Sequence, residues 1–345
     1  MNHLDYLLRP ATLDDLDDLE RFSKASTFGI HTLKPGRERL AARLELSQRA
    51  FAATETHNGD EIYHFVLEDL QTGRVIGSSG IVTSAGAEGR FYCYRNEFSV
   101  HASEELGISN RVHTLRLCED LSGHSLLSSF YIEPAYADSP APQLLSRGRL
   151  LFIRRYPHLF AERIGAENPG LCDEAGDSPF WNALGRRFLD MSFPEAEHRT
   201  SGRSKGFIAE LMPRSSIHVL LLAENAQWAL GQLHPDGEIP FGILVDEGFD
   251  ADSYVDIFDG GPITEARAAM LKTVVAAQDL QVRPGTPTGG SVHMLAAGEH
   301  AKFRATLARG DMVPGSIELA TPIMERLELS VGDEVCAVRA DWLQP

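Results

Sequence analysis

Among thirteen histidines, His234 is marked by its setting, GQLHPDGE. The proline at 235 biases the preceding residue away from helical backbone, so the imidazole projects from a rigid turn. Such a group, titrating near neutrality, can take a proton from an amine and return one to a leaving thiolate. The plainer reading is a surface-loop histidine with no role. His101, in SVHAS, follows a strand-like run and reads first as a buried histidine satisfied by its neighbours. Asp256 and Asp259 bracket Ile257 and Phe258 in VDIFDGG. Acidic residues before paired glycines ordinarily bind turn backbone, and the sharper alternative is a guanidinium partner. Arg147, Arg149, Arg154 and Arg155 fall in SRGRLLFIRR, on a helix whose apolar face is Leu144, Leu145, Leu151 and Phe152. They read either as a solvated basic face or as contacts for the phosphates of a nucleotide-like ligand.

The spacing of other reactive residues removes several classes. There is no Walker-type phosphate loop, HExxH helix or GxSxG elbow, so nucleotide hydrolysis, metalloprotease and α/β-hydrolase chemistry have no local support. Cys93, Cys118, Cys172 and Cys336 show no pairing or metal-ligand spacing; they are expected as free thiols in a reducing compartment, with no metal site. Against 32 Lys and Arg stand 49 Asp and Glu, a net charge of −17, which argues against a general nucleic-acid-binding role because a phosphate backbone would be repelled. No apolar run approaches the roughly 18 residues of a membrane span. The N-terminus turns acidic at once and lacks a signal-peptide pattern, so a cytoplasmic protein is expected.

The elements that must position these residues follow from periodicity. Tyr6 to Pro10 is a short apolar run, and Thr12 can cap an acidic helix carrying Leu13, Leu16, Leu19 and Phe22. Pro35 opens a second helix through Leu40, Leu44 and Phe51. IYHFVLED, the turn QTGR and VIGSSGIVTSA read as an antiparallel hairpin, FYCYRNEFSVH as a further strand, and Leu126 to Glu133 as another. A helix over Gln143 to Tyr156 follows, then a short capped helix over Ser178 to Phe188. IAELMPRSSIHVLLL and AENAQWALGQL read as helical, IPFGILVDEGF as a helix and YVDIFDG as a strand. PFWNALGRRF and PFGILVDEGF echo one another weakly, as if one corner were used twice. From Val282, RPGTPTGG resembles a linker or loop before short strands. The expected class is α/β (α+β) with mixed sheets. Its expected parts are an N-terminal domain over 1–200, a half carrying His234 over 201–281, and a small β-rich module over 282–345.

LLRPATLDDLDDL and FWNALGRRF resemble the opening and closing corner of the GNAT acyltransferases. More specific are FVLEDLQTGRVIGSSGI, VHASEELGISN, DSPFWNALGRRF, AELMP, QLHP and DEGFDADSYVDIFDGGP, which together are similar to the arginine N-succinyltransferase family over essentially the whole chain. The resemblance implies tandem GNAT-like acyltransferase domains, succinyl-CoA as co-substrate with no permanently bound cofactor, and the α-amine of arginine, in some members ornithine, as acceptor in arginine catabolism. It carries the family's acid/base histidine, in GQ-x-HP, onto His234. The family's succinyl-CoA contact falls on Phe130, where single-subunit members tend to carry leucine. A backbone N–H on the strand around Leu126 to Ile132 is expected to hold the carbonyl oxygen. Asp256 and Asp259 are the candidates for the cationic substrate; the succinyl carboxylate is left to an arginine, with Arg95 and Arg111 among the options, or to backbone amides.

The chain departs from the GNAT pattern where a glycine-rich loop would cradle pyrophosphate, since YADSPAPQLL offers no glycine, and Pro140 and Pro142 have no N–H to donate. That loss, with FYCYRNEF, resembles the α-type subunit of two-subunit members. A related β subunit or a homo-oligomer is therefore the expected partner. Two alternatives stand beside the catalytic reading: a non-catalytic structural or regulatory subunit, and a GNAT enzyme acylating another amine.

Overall fold

The structure is a computed structural model that describes residues 4–25, 33, 36–53, 59–87, 89–173, 175–200, 210–287 and 290–343. Strand β1 (Tyr6–Pro10) leads into a single 3-10 turn and helix α1 (Leu16–Ala25). The N–H of Thr12 donates to the Asp15 carboxylate at 2.8 Å, which starts this turn as the acidic pattern anticipates. Helix α2 (Arg37–Ala52) buries Leu40, Leu44 and Phe51; Pro35 lies outside the described residues. The hairpin β2 (Ile62–Asp69) and β3 (Arg74–Val82) follows. FYCYRNEFSVH forms β4 (Cys93–Ser103), and VHASEELGISN proves to be the turn of a long hairpin with β5 (Ile108–Cys118). Next come β6 (Ser125–Ile132), helix α3 (Ala141–Arg155) and β7 (Arg163–Glu167).

Helices α4 (Pro179–Ala183), α5 (Gly185–Leu189) and α6 (Phe193–Thr200) follow β7. The two echoing corners are not built alike. The first helical run breaks at Leu184, whereas PFGILVDEGF begins inside a continuous helix ended by left-handed Gly248. IAELMPRSSIHVLLL is not one helix among the described residues. Pro213 interrupts it, and Ile217–His218 forms β8, pairing with β5. Helix α7 (Glu224–Ala229) is short, helix α8 (Glu238–Glu247) carries the second corner, and β9 (Asp250–Val255) and β10 (Pro262–Arg267) form a hairpin.

One mixed sheet runs in the order β1-β2-β3-β6-β7-β10-β9-β4-β5-β8. Residues from 201–281 thus add strands to the same sheet as the N-terminal segment. The remaining strands, β11 (Gln278–Pro284), β12 (Ser291–Ala297), β13 (Arg304–Val313), β14 (Ser316–Leu319) and β15 (Glu334–Arg339), close on themselves through β12–β13 pairing, and β13 also pairs with β1. Of RPGTPTGG, Arg283 and Pro284 end β11, and residues 288–289 lie outside the described residues.

Helix α3 is buried on nearly every side, from Ala141 through Ile153 except Gln143. Phe152, in its last turn, has the ring centroids of Phe51, Tyr63, Phe65, Tyr156 and Phe303 within 5.4 Å. Gly148 lets the helix sit on β1, because a Cβ there would come 2.3 Å from a Leu8 methyl carbon. A second core, around Phe180, Trp181, Phe193 and Phe258, holds α4 to α6 against β4, β5 and β9.

Candidate active site

Strands β6 and β7 are parallel, but only Ser125–Ile164 and Leu126–Gly165 are paired. Beyond that point they separate, and a cavity of about 70 Å³ opens between them. One wall is Leu127, Ser128, Ser129, Phe130 and Arg149; the other is formed by residues 166–169 with Asp256 and Asp259, and α8 with the turn before it covers the opening. The β6 wall is shaped by a bulge against β3, where the register shifts between Ser78 and Gly80. Ser129 adopts φ 55, in the left-handed region unusual for serine. A bulge of this kind breaks the ladder and turns strand groups away from the neighbouring strand.

Phe130 lines this wall half-buried, packed against the main core. Beneath it Arg149 is 2% exposed. Its guanidinium donates to the carbonyls of Ser146, Gly80 and Ser128 at 3.2, 3.3 and 3.4 Å and to Ser146 Oγ at 3.1 Å. Burial lowers its pKa to about 9. Arg43, from α2, donates to Ser128 Oγ and Ser129 Oγ at 3.2 and 2.9 Å, and burial lowers it to about 10. His64, fully buried behind them, is held well below the ordinary histidine value by burial and then by the Arg43 charge, and its Nε2 has no hydrogen-bond partner.

The opposite wall is a clamp of backbone turns. Asp259 accepts the N–H of Gly170 and of Gly261, each at 2.8 Å, and Asp256 accepts that of Phe258 at 2.7 Å. Only glycine fits at 261, where a Cβ would lie 2.3 Å from the Asn168 carbonyl oxygen. Both aspartates thus bind turn backbone, as their position before paired glycines suggests, while also bordering the cavity.

His234 stands at the rim. Its N–H donates to the Pro169 carbonyl at 2.9 Å, and the adjacent Leu233 bridges to Gly170. Asp236 and Gly237, which follow it, line the cavity, whereas the His234 ring is beside it and 18% exposed. Its Nδ1 accepts the N–H of Asp236 at 3.3 Å and lies 3.7 Å from the Asp236 carboxylate. In the neutral ring this places the hydrogen on Nε2.

The other reactive residues are dispersed. His101 is exposed on the β4–β5 hairpin, not buried, its Nε2 3.1 Å from Ser99 Oγ. Arg95 pairs with Asp120, and Arg111 lies over the Phe98 ring at 3.9 Å, both away from the cavity. The basic helix presents no single solvated face. Arg147 is buried between Asp246 and Glu247 and lies 4.3 Å from the Trp342 ring, while Arg154 pairs with Asp279 at 2.8 Å. A second cleft of about 500 Å³, lined by Pro142, Gln143, Arg147, Glu238 and Asp246 among others, lies at the start of α3. There Ser139 Oγ takes the Ala141 N–H at 3.2 Å and Pro142 has none, so this helix end offers little for a pyrophosphate. Cys93 and Cys118, 25 residues apart, meet across β4 and β5 with sulfurs 3.5 Å apart. Sequence spacing hid this neighbourhood because it depends on strand register.

Comparison with known proteins gives a single answer. The family model for the arginine N-succinyltransferase beta subunit matches residues 6–273, and that for the C-terminal domain of the same subunit matches residues 278–339. The chain is 42% identical to arginine N-succinyltransferase subunit alpha of Pseudomonas aeruginosa, over 95% of this chain and 98% of that protein. Its identity to subunit beta of the same organism is 37%, over 96% and 97%. The solved structure of arginine/ornithine succinyltransferase subunit AI from Pseudomonas aeruginosa superposes with a TM-score of 0.86 at 39% identity, over 98% of this chain and 99% of that one. With a fold shared from end to end and a cleft between parted strands in place, the chain belongs to the arginine N-succinyltransferase family.

Proposed function

We propose that this chain transfers the succinyl group of succinyl-CoA to the α-amine of arginine or ornithine, with His234 moving the proton. The observation that carries the reading is the β6–β7 cleft with His234 fastened to its rim through Pro169. An amino acid's α-amine is largely protonated at neutral pH and must lose a proton before its nitrogen attacks the thioester carbon. As the C–N bond forms and the C–S bond breaks, the sulfur leaves as a thiolate that needs a proton back. Proton uptake at Nε2 requires the tautomer with its hydrogen on Nδ1, and the Asp236 carboxylate is placed to accept from it after a small ring rotation. A backbone N–H of β6, beside its bulge, is assigned to the developing oxyanion. Phe130 contacts the donor chain. Asp256 and Asp259, although bound to backbone, supply negative charge toward a cationic acceptor.

The test is the purified chain with succinyl-CoA and arginine, beside His234→Ala. The variant should lose about 10²- to 10⁴-fold in kcat while keeping its calorimetric affinity for succinyl-CoA; full activity in the variant would remove His234 from the mechanism. The poor pyrophosphate cradle at α3 favours a second reading, a non-catalytic subunit of a two-subunit enzyme. Activity that appears only with a related β subunit, and that is indifferent to His234→Ala, would decide for it.

We also infer a partner, either a related β subunit or a second copy. The β4–β5 hairpin exposes Phe98, Val100, Leu106 and Ile108, and Leu220, Leu221 and Trp228 are exposed on elements beside β8. Sizing chromatography with light scattering should return more than one chain per particle. A fully active monomer would refute the inference.

A further inference from the structure

The β6 wall carries a charge that the protein itself does not neutralise. Arg149 lies at the cavity with carbonyl and hydroxyl acceptors and the Phe130 ring 5.9 Å away, Arg43 has hydroxyls and the His64 Nδ1, and no carboxylate pairs with either among the described residues. The other buried arginine of α3, Arg147, shows the ordinary solution, two carboxylates. A buried guanidinium left without an anion is costly, and such a group beside a cavity fits a ligand that brings the anion with it. Both substrates bring a carboxylate, in different places. The acceptor's sits beside its reacting amine and travels with a cationic side chain that suits the aspartate wall, whereas the donor's acyl group ends in a carboxylate two methylenes beyond the reacting carbonyl.

We propose that Arg149, supported by Arg43 through the hydroxyls of Ser128 and Ser129, forms the subsite for the distal carboxylate of the succinyl group. The inference rests on the transfer reaction proposed above. Donors at the bulge would hold the thioester carbonyl while the acyl chain runs past Phe130 toward the guanidinium. Specificity follows from the same geometry. A neutral acyl group of equal length, such as butyryl, leaves the guanidinium buried and unpaired, so the site rejects it. Arg43 is a positioning residue: it fixes the serines that frame the subsite.

The experiment compares succinyl-CoA with butyryl-CoA as donors, with arginine as acceptor, for the wild-type chain, Arg149→Met and Arg43→Gln, together with any β subunit that activity requires. Wild type should strongly prefer succinyl-CoA. Arg149→Met should lower kcat/KM for succinyl-CoA about 100-fold, with the butyryl-CoA value unchanged or raised and KM for arginine unchanged. Arg43→Gln should erode the same preference about tenfold; it decides the matter if Arg149→Met does not melt cooperatively. An equal loss with both donors, or a rise confined to KM for arginine, would overturn the subsite while leaving the transfer reaction intact. A wild-type protein that turns over neither donor would instead defeat the reaction on which the subsite rests.

Discussion

On the β6 side of the cleft, Arg149 and Arg43 are buried among serines and carbonyls without a carboxylate partner among the described residues. On the β10 side, Asp259 and Asp256 have oxygens occupied by backbone N–H groups. The two walls hold opposite charges and commit them differently. A carboxylate that accepts several turn amides shapes the chain and keeps only part of its field for a ligand. A guanidinium given only neutral acceptors keeps its charge uncompensated for an incoming anion, even with most of its N–H groups engaged.

The sharpest way to break this contrast is Asp259→Ala. It strands the N–H groups of Gly170 and Gly261, and each orphaned buried donor costs about 1–3 kcal/mol, so a loss near 4 kcal/mol in urea melts is expected. Near-normal stability with a much raised KM for arginine would mean that Asp259 serves substrate rather than backbone.

His64 probes the interior behind the opposite wall. Because its folded pKa is depressed by burial and by Arg43, the unfolded chain binds a proton that the folded chain refuses. Stability is then fully present above the ordinary histidine value and declines as pH falls below it. The slope cannot exceed that of one proton, about 1.4 kcal/mol per pH unit. His64→Gln should remove that part of the slope in thermal melts at the two pH values; an unchanged slope would show that His64 is free to protonate in the folded state.

The smallest effect is expected at Asp256→Asn, whose amide oxygen can still accept the Phe258 N–H. Stability should stay within about 1 kcal/mol, while KM for arginine rises about fivefold through the lost charge. Loss of stability with KM unmoved would place Asp256 wholly among the structural groups.

Much of the frame was legible from local pattern. Strand alternation and helical spacing recovered β1 to β4, β6 and α1 to α3, because each buries one apolar face. The segment 210–222 misled, since its apolar residues suit a helix while Pro213 and the edge pairing of β8 impose another path. The four arginines of α3 misled for a different reason. Arg147 and Arg149 are two residues apart and so face different sides of the helix, one toward Asp246 and Glu247, the other toward the bulge.

The sequence by itself determined the family, strands β1 to β4 and β6 of the main sheet and the candidacy of His234, because these follow from residue order and short-range periodicity. Tertiary structure alone decided that Phe130, Arg149, Asp256 and Asp259 border one cavity, that Arg43 reaches Ser129 from 86 residues away, and that β12 to β15 close a barrel with β11. Those facts depend on strand register, on where β6 and β7 part and on which side of a helix meets a partner, and none of these is encoded in the spacing of neighbouring residues.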